Sequence, residues 1–342
     1  MPTQPAAAVI VIPARLSSTR LPRKMLLADT GKTLIEHTWH AARASSRATR
    51  VIVATDSQEI AAAVAAFGGE AVMTSPEAPS GTARIVEALG TLGNADVIVN
   101  VQGDEPEISA AAIDAAIDLL HRCPSAGIAT LVTPIRSIDL LDDPSAVKAE
   151  LTPWREPGTH GSWLPGPESA GAWRAITFSR SRLPAAREWN ETLLSATPPL
   201  WWQHVGLYAY RRSVLESWDA LPESRLAALE SLEQLRPLEA GIPIAAYAID
   251  HAAKGIDTPR DYAAFVERYR RGEPSALLDR HEQHARRHAR KHRFGRAPQQ
   301  PTRDRVGRGA AEDDEIVAMI ADMGPDLVAR IPLSDDRSLG AE

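Results

Sequence analysis

Cysteine is almost missing from this 342-residue chain. Cys123 is the one instance, so neither a disulfide framework nor a zinc site built on thiolates can be drawn from it. No apolar run approaches the ~18 residues of a membrane span. No basic segment followed by a long apolar stretch opens the chain, so no secretory signal is visible and the cytoplasm is the expected location. A surplus of positive charge is lacking as well. Lys and Arg number 38 against 44 Asp and Glu, a net charge of −6, which argues against nucleic-acid binding by the chain as a whole. A Walker A loop, a G-x-G-x-x-G fingerprint and internal repeats are all absent. Gly31-Lys32-Thr33 has the ending of a phosphate loop without its upstream glycine, and reads as a turn followed by a helix cap.

What is present is an ordinary globular composition, 44% hydrophobic and 24% charged, enough for a sizeable core. At roughly 150 residues per domain, the length fits two units or one large domain with an appendage. Val9-Ile10-Val11-Ile12 is a β-branched run of the kind buried on both faces of a parallel sheet. Further strands are expected at 50–54, 71–73, 95–101, 128–132, 175–180, 204–210 and 244–249. Helices are expected at 33–43, 58–67, 81–89, 226–235 and 258–269; Gly68-Gly69 closes the second, and Thr258 with Pro259 opens the last. The alternation implies an α/β fold with a mainly parallel sheet flanked by helices.

The character changes near Gly272. Residues 280–308 carry ten Arg or Lys against two acidic residues, and residues 309–342 carry nine Asp or Glu against two Arg. The division is therefore a folded domain over 7–271 and a charged extension, partly disordered, over 272–342. His281, His284, His288 and His292 share one helical face; a solvated basic helix explains them more simply than a metal stripe. The basic segment suits RNA, anionic lipid, a protein partner or the acidic end of its own chain.

In open parallel sheets ligands sit outside the carboxyl ends of the strands. Three polar clusters fall at such ends: Pro13 to Lys24, Thr55-Asp56, and Gln102-Gly103-Asp104-Glu105. Polar residues follow any strand, but Arg15, Arg20, Arg23 and Lys24 in one loop exceed what a turn needs, and Arg15, Arg20 and Lys24 would neutralise a polyphosphate. Asp104, after a buried strand, is a hard oxygen anion suited to magnesium. Taken alone, Asp257 reads as a turn or capping residue, His204 as a satisfied strand histidine, Tyr208 as core beside Tyr210, and Arg84 as solvated. Glu233 and Arg236 read alone as a surface helix pair.

The pieces acquire more meaning in series. Ile12-Pro13-Ala14-Arg15, Ser18-Thr19-Arg20-Leu21-Pro22 and Lys24 come first, then Val53-Ala54-Thr55-Asp56, Met73-Thr74, and Ser80-Gly81-Thr82 with Arg84. Val99-Asn100-Val101-Gln102-Gly103-Asp104-Glu105-Pro106 follows, then Phe178-Ser179-Arg180 and His204-Val205-Gly206-Leu207-Tyr208. Leu232-Glu233-Gln234-Leu235-Arg236 and Gly255-Ile256-Asp257-Thr258-Pro259 complete the set. In this order, over residues 7–271, the series resembles the 3-deoxy-manno-octulosonate cytidylyltransferases. The resemblance implies a nucleotide-diphospho-sugar transferase-like (Rossmann-like) fold, a homodimer and Mg²⁺ as cofactor. It implies transfer of CMP from CTP to the anomeric hydroxyl of 3-deoxy-D-manno-octulosonate (Kdo), with release of pyrophosphate, for lipopolysaccharide assembly.

By matched position, the resemblance makes Lys24, Arg15, Asp104 and Asp257 catalytic, with Asp104 and Asp257 holding the metal. Pro13, Ala14, Arg15, Arg20, Lys24, Met73, Ser80, Arg84 and Gln102 fall on the nucleotide, and Gln102, Arg180, His204, Tyr208, Glu233 and Gln234 on the sugar. The chain departs from the family pattern at Arg23, where glycine is usual, at Ala83 and Ala227, where acidic residues are usual, and in a loop insertion from about 154 to 171. The alternatives these departures raise are a related acid sugar (8-amino-Kdo or a nonulosonic acid) and a non-catalytic CTP-binding relative whose tail recruits a partner.

Overall fold

The protein is described by a computed structural model over residues 8–157, 171–252 and 254–272. The charged extension beyond 272, with its four histidines, and most of the 154–171 insertion lie outside the described residues.

The first half alternates strand and helix: β1 (Ala8–Ala14), α1 (Leu34–Arg43), β2 (Ala48–Thr55), α2 (Gln58–Ala66), β3 (Glu70–Met73), α3 (Gly81–Ala88), β4 (Val97–Asn100) and α4 (Ala110–Arg122). The second half holds β5 (Ile128–Pro134), α5 (Ile138–Asp142), β6 (Lys148–Pro153), β7 (Ala172–Ser179), β8 (Trp202–Arg211) and α6 (Arg212–Glu216). It closes with α7 (Arg225–Glu230), α8 (Leu235–Glu239), β9 (Ile244–Ala248) and α9 (Pro259–Arg270). Side-chain caps start several of the helices. Thr33 accepts from the backbone N–H of Glu36, Ser57 from that of Ile60 and Ser80 from that of Ala83. Thr258 and Asp261 form a reciprocal capping box at α9, with Pro259 at its first position.

The nine strands form one sheet in the order β3-β2-β1-β4-β8-β5-β9-β7-β6. The β3-β2-β1-β4 half is parallel, as the strand–helix alternation implies. β8 then inserts antiparallel between β4 and β5, and the β7 and β6 end is antiparallel too, so the whole sheet is mixed. Among the described residues no long helix lies between β6, β7 and β8, which leaves no crossover there to restore the direction.

Alternate residues of β1 feed two separate cores. Ile10 and Ile12 join Val53, Val99, Ile113, Ile117 and Leu207 on one face. Val9 and Val11 join Ile52, Ile85, Ile98 and Phe178 on the other. Period-two side chains on a strand covered by helices on both faces produce this division.

Two local expectations change. α4 has no counterpart in the strand and helix assignments above, although Ala112, Ile113, Ala116, Ile117 and Leu120 mark its buried face at helical spacing. The single helix expected at 226–235 is broken: α7 ends at Glu230, Ser231 turns left-handed at φ 51°, and α8 starts at Leu235. No helix among the described residues is long and apolar enough to cross a membrane.

Candidate active site

A cavity of about 380 Å³ opens at the carboxyl ends of β1 and β4. Its lining includes Pro13, Ala14, Arg15, Arg20, Lys24, Ser80, Arg84, Gln102, Asp104 and Asp257, residues drawn from four separate stretches of chain. The two aspartates meet there around a cation of the protein itself. The Lys24 ammonium donates to Asp104 Oδ2 at 2.6 Å and to Asp257 Oδ1 at 3.2 Å, and Arg20 pairs with Asp257 Oδ2 at 3.2 Å. Lys24 is buried, whereas Arg15 and Arg20 stand exposed at the rim. Asp257 is therefore more than a cap; Thr258 performs the capping.

Close backbone approach makes the cluster. A Cβ at Gly103 would fall 3.0 Å from the Pro13 carbonyl oxygen, so glycine lets the loop after β4 press against the end of β1. Thr38 Oγ1 ties down the Gly103 carbonyl at 2.9 Å. The Ile256 N–H donates to the Asp104 carbonyl at 2.9 Å, joining two loops some 150 positions apart in the chain.

Arg84 is not solvated. Its guanidinium is buried and pairs with Asp56 at 3.1 Å, and it also donates to Thr74 Oγ1 and the Ser75 carbonyl. Asp56 in turn accepts from the Leu16 N–H at 3.3 Å, so this pair braces the β1 loop. The polar ending Thr55-Asp56 is the sequence signal for that brace, although Asp56 is absent from the assigned site residues. Met73 ends β3 with 44% of its surface exposed, outside the cavity lining.

The residues assigned to the sugar are held differently. His204 bonds Thr130 Oγ1 at 3.0 Å and packs its ring 4.9 Å from Phe178 and 5.2 Å from Tyr208. Burial pushes its imidazole down to about 3, which keeps it neutral. Burial, with the nearby Tyr210 and Glu233, raises the Tyr208 phenol. Glu233 accepts from Ser80 Oγ at 2.5 Å and Thr82 Oγ1 at 2.9 Å, reaching the nucleotide-side segment rather than Arg236. Arg180 donates to the carbonyls of Glu230, Pro144 and Ser231, three of its five N–H groups. Gln234 is buried with its Nε2 unpartnered among the described residues. Arg180, His204, Tyr208, Glu233 and Gln234 do not line the 380 Å³ cavity; Gln102 does, and donates to Asn100 Oδ1 at 3.3 Å.

Loop arginines with a lysine on paired aspartates can neutralise a chain of phosphates. Two carboxylates are also a hard-oxygen set for a divalent cation that completes its shell with phosphate and water. No group of three His, Cys, Asp or Glu able to hold a metal unaided occurs among the described residues.

Known proteins carry the same pattern. The family model described as Cytidylyltransferase matches residues 9–245. A 3-deoxy-manno-octulosonate cytidylyltransferase from Rhodopirellula baltica is 44% identical over 261 residues, covering 76% of this chain and 97% of its own. One from Methylorubrum populi is 43% identical, over 74% of this chain and 93% of its own. The solved structure of CMP:2-keto-3-deoxy-manno-octonic acid synthetase complexed with CTP superposes with a TM-score of 0.68 at 36% identity, covering 78% of this chain and all (100%) of that one. Motif order, fold and near-complete coverage of these relatives converge: the chain belongs to the 3-deoxy-manno-octulosonate cytidylyltransferase family.

Proposed function

We infer that this protein transfers CMP from CTP to the anomeric hydroxyl of Kdo, forming CMP-Kdo and pyrophosphate for lipopolysaccharide biosynthesis. The observation that carries the reading is the Lys24 ammonium lodged between Asp104 and Asp257 in a cavity rimmed by Arg15 and Arg20.

In this reading the sugar hydroxyl attacks the α-phosphorus and the pyrophosphate leaves in line. Such transfers need positioning and charge stabilisation more than covalent help. Arg15, Arg20 and Lys24 take the triphosphate charge, and Lys24 supports the charge that develops on the leaving phosphates. Gln102, at the cavity wall, orients nucleotide and sugar relative to each other. Arg84 shapes the base end of the cavity through its brace on Asp56. The Arg180 guanidinium suits the sugar carboxylate, and the Gln234 amide, unpartnered among the described residues, suits a sugar oxygen. Neutral His204 and Tyr208 form an aromatic wall for the carbon skeleton.

The carboxylates fit Mg²⁺: both are hard oxygen donors, and both already face one cation. Asp104 and Asp257 would hold the ion, which when bound supplies Lewis-acid neutralisation of the phosphates and acidifies the attacking hydroxyl. A homodimer and a cytoplasmic location complete the proposal on the strength of the motif resemblance.

The test is pyrophosphate release from CTP, Mg²⁺ and Kdo, run beside 8-amino-Kdo and an N-acylated nonulosonic acid. Turnover with the highest kcat/KM for Kdo is expected. A higher value for another acid sugar reassigns the substrate, and CTP binding with no release across the panel overturns the enzymatic reading.

A further inference from the structure

Arg23 and Lys24 are neighbours in the chain with opposite fates. The Lys24 side chain is 9% exposed and points into the site; the Arg23 side chain is 56% exposed and points away from it. The backbone at Arg23 causes the divergence. Its φ of 54° and ψ of 29° lie in the left-handed region, which a residue with a Cβ occupies at a cost. The 3-10 turn Lys24–Leu26 starts directly after it, closed by the Leu26 N–H on the Arg23 carbonyl at 2.9 Å.

Something must hold a non-glycine residue in that conformation. The Arg23 guanidinium forks onto Glu59, in the first turn of α2, with Nη1 donating to Oε1 at 3.2 Å and Nη2 donating to Oε2. A bidentate fork fixes orientation as well as distance. Glu59 is well placed to receive it, because a carboxylate in a first turn is stabilised by the helix dipole. On the outer side, Arg23 and Pro22 line a second cavity of about 460 Å³, which shares Arg15, Ser17, Ser18 and Thr19 with the main one. The phosphate loop is thus a thin wall open on both sides, and the fork onto α2 is a side-chain anchor beside Lys24.

We propose that Arg23 is a positioning residue: its fork on Glu59 holds the left-handed turn that delivers Lys24 between Asp104 and Asp257, and so sets the affinity for the nucleotide triphosphate. This rests on the reading of the cavity as a CTP site. Arg23 acts through the backbone, without touching the phosphates, and its effect falls on ground-state binding of CTP rather than on the chemical step.

Steady-state kinetics of the full chain, its Arg23→Ala and Glu59→Gln variants and the double variant, at low and high salt, test it. Each single variant is expected to raise KM for CTP about fivefold with kcat nearly unchanged. The double variant is expected to match the singles, because both remove one interaction. The rise is expected to shrink at high salt, where the wild-type fork is itself screened. An unchanged KM in both singles overturns the proposal. So does a rise in Arg23→Ala without one in Glu59→Gln, which would put Arg23 on the phosphates directly, or an additive double variant. Wild-type turnover with CTP keeps the two readings apart: variants are judged only against it, and a wild type that neither binds nor turns over CTP overturns both.

Discussion

The residues proposed for the nucleotide and those proposed for the sugar stand on different physical footings. In the first set, Arg15, Arg20, Lys24, Asp104 and Asp257 sit on loops at strand ends and converge on one cavity, and the last four pair across the chain. In the second, His204 and Tyr208 lie along β8 among aromatic rings, while Arg180 and Glu233 are engaged by protein partners. The contrast teaches that the proposed phosphate site is preassembled from charge, whereas the proposed sugar site is drawn from groups that also serve the fold. Damage should therefore fall on chemistry at the first and on fold and chemistry together at the second.

The largest expected effect lies on the charged side. Asp104→Ala or Asp257→Ala should lower turnover by roughly two to three orders of magnitude while circular dichroism and the melting transition stay near wild type. Near-normal rates would erase the distinction drawn here. Glu233→Ala sits across the divide, because its carboxylate holds both Ser80 and Thr82. A loss of roughly tenfold in kcat/KM for Kdo and a smaller one for CTP is expected; a loss confined to Kdo would mean the two halves are uncoupled.

The third prediction concerns pH. Burial, with the charge of Asp104 adding, pushes the Glu105 carboxyl up to about 8. A folded value above the unfolded one means the native state holds the extra proton, so stability declines as pH rises from about 4.5 to about 8. Glu105→Gln should remove that decline, read as a urea midpoint higher than wild type at pH 8.5 and closer to it at pH 4.5. His204 has the opposite sign. Its folded value of about 3 lies below the unfolded 6.5, so its contribution is lost as pH falls through that interval. The smallest effect is expected from Tyr210→Phe, which removes a 3.5 Å contact to Thr82 and a side-chain hydrogen bond with Asn100; rates should stay within about twofold of wild type.

The same contrast explains what could be read from the amino-acid string. β1, β2 and β4 were legible because short β-branched runs followed by polar clusters have few other readings. The cationic loop was legible because four basic residues in one turn repel each other unless something anionic is near. That Asp257 joins Asp104 was not legible from the residues themselves: two positions so far apart meet only through sheet order and the close approach at Gly103. The break between α7 and α8 escaped because a left-handed serine has no compositional mark. Arg84 misled because a buried ion pair needs its partner, Asp56, to be seen beside it.

Ser80 has two obligations at once. Its hydroxyl oxygen accepts the Ala83 N–H that starts α3, and its proton goes to Glu233. A ligand hydroxyl drawing Glu233 away would slacken the opening turn of the helix that carries Arg84. A change at Glu233 would then reach the start of α3 through a single oxygen atom, with neither domain nor hinge having to travel.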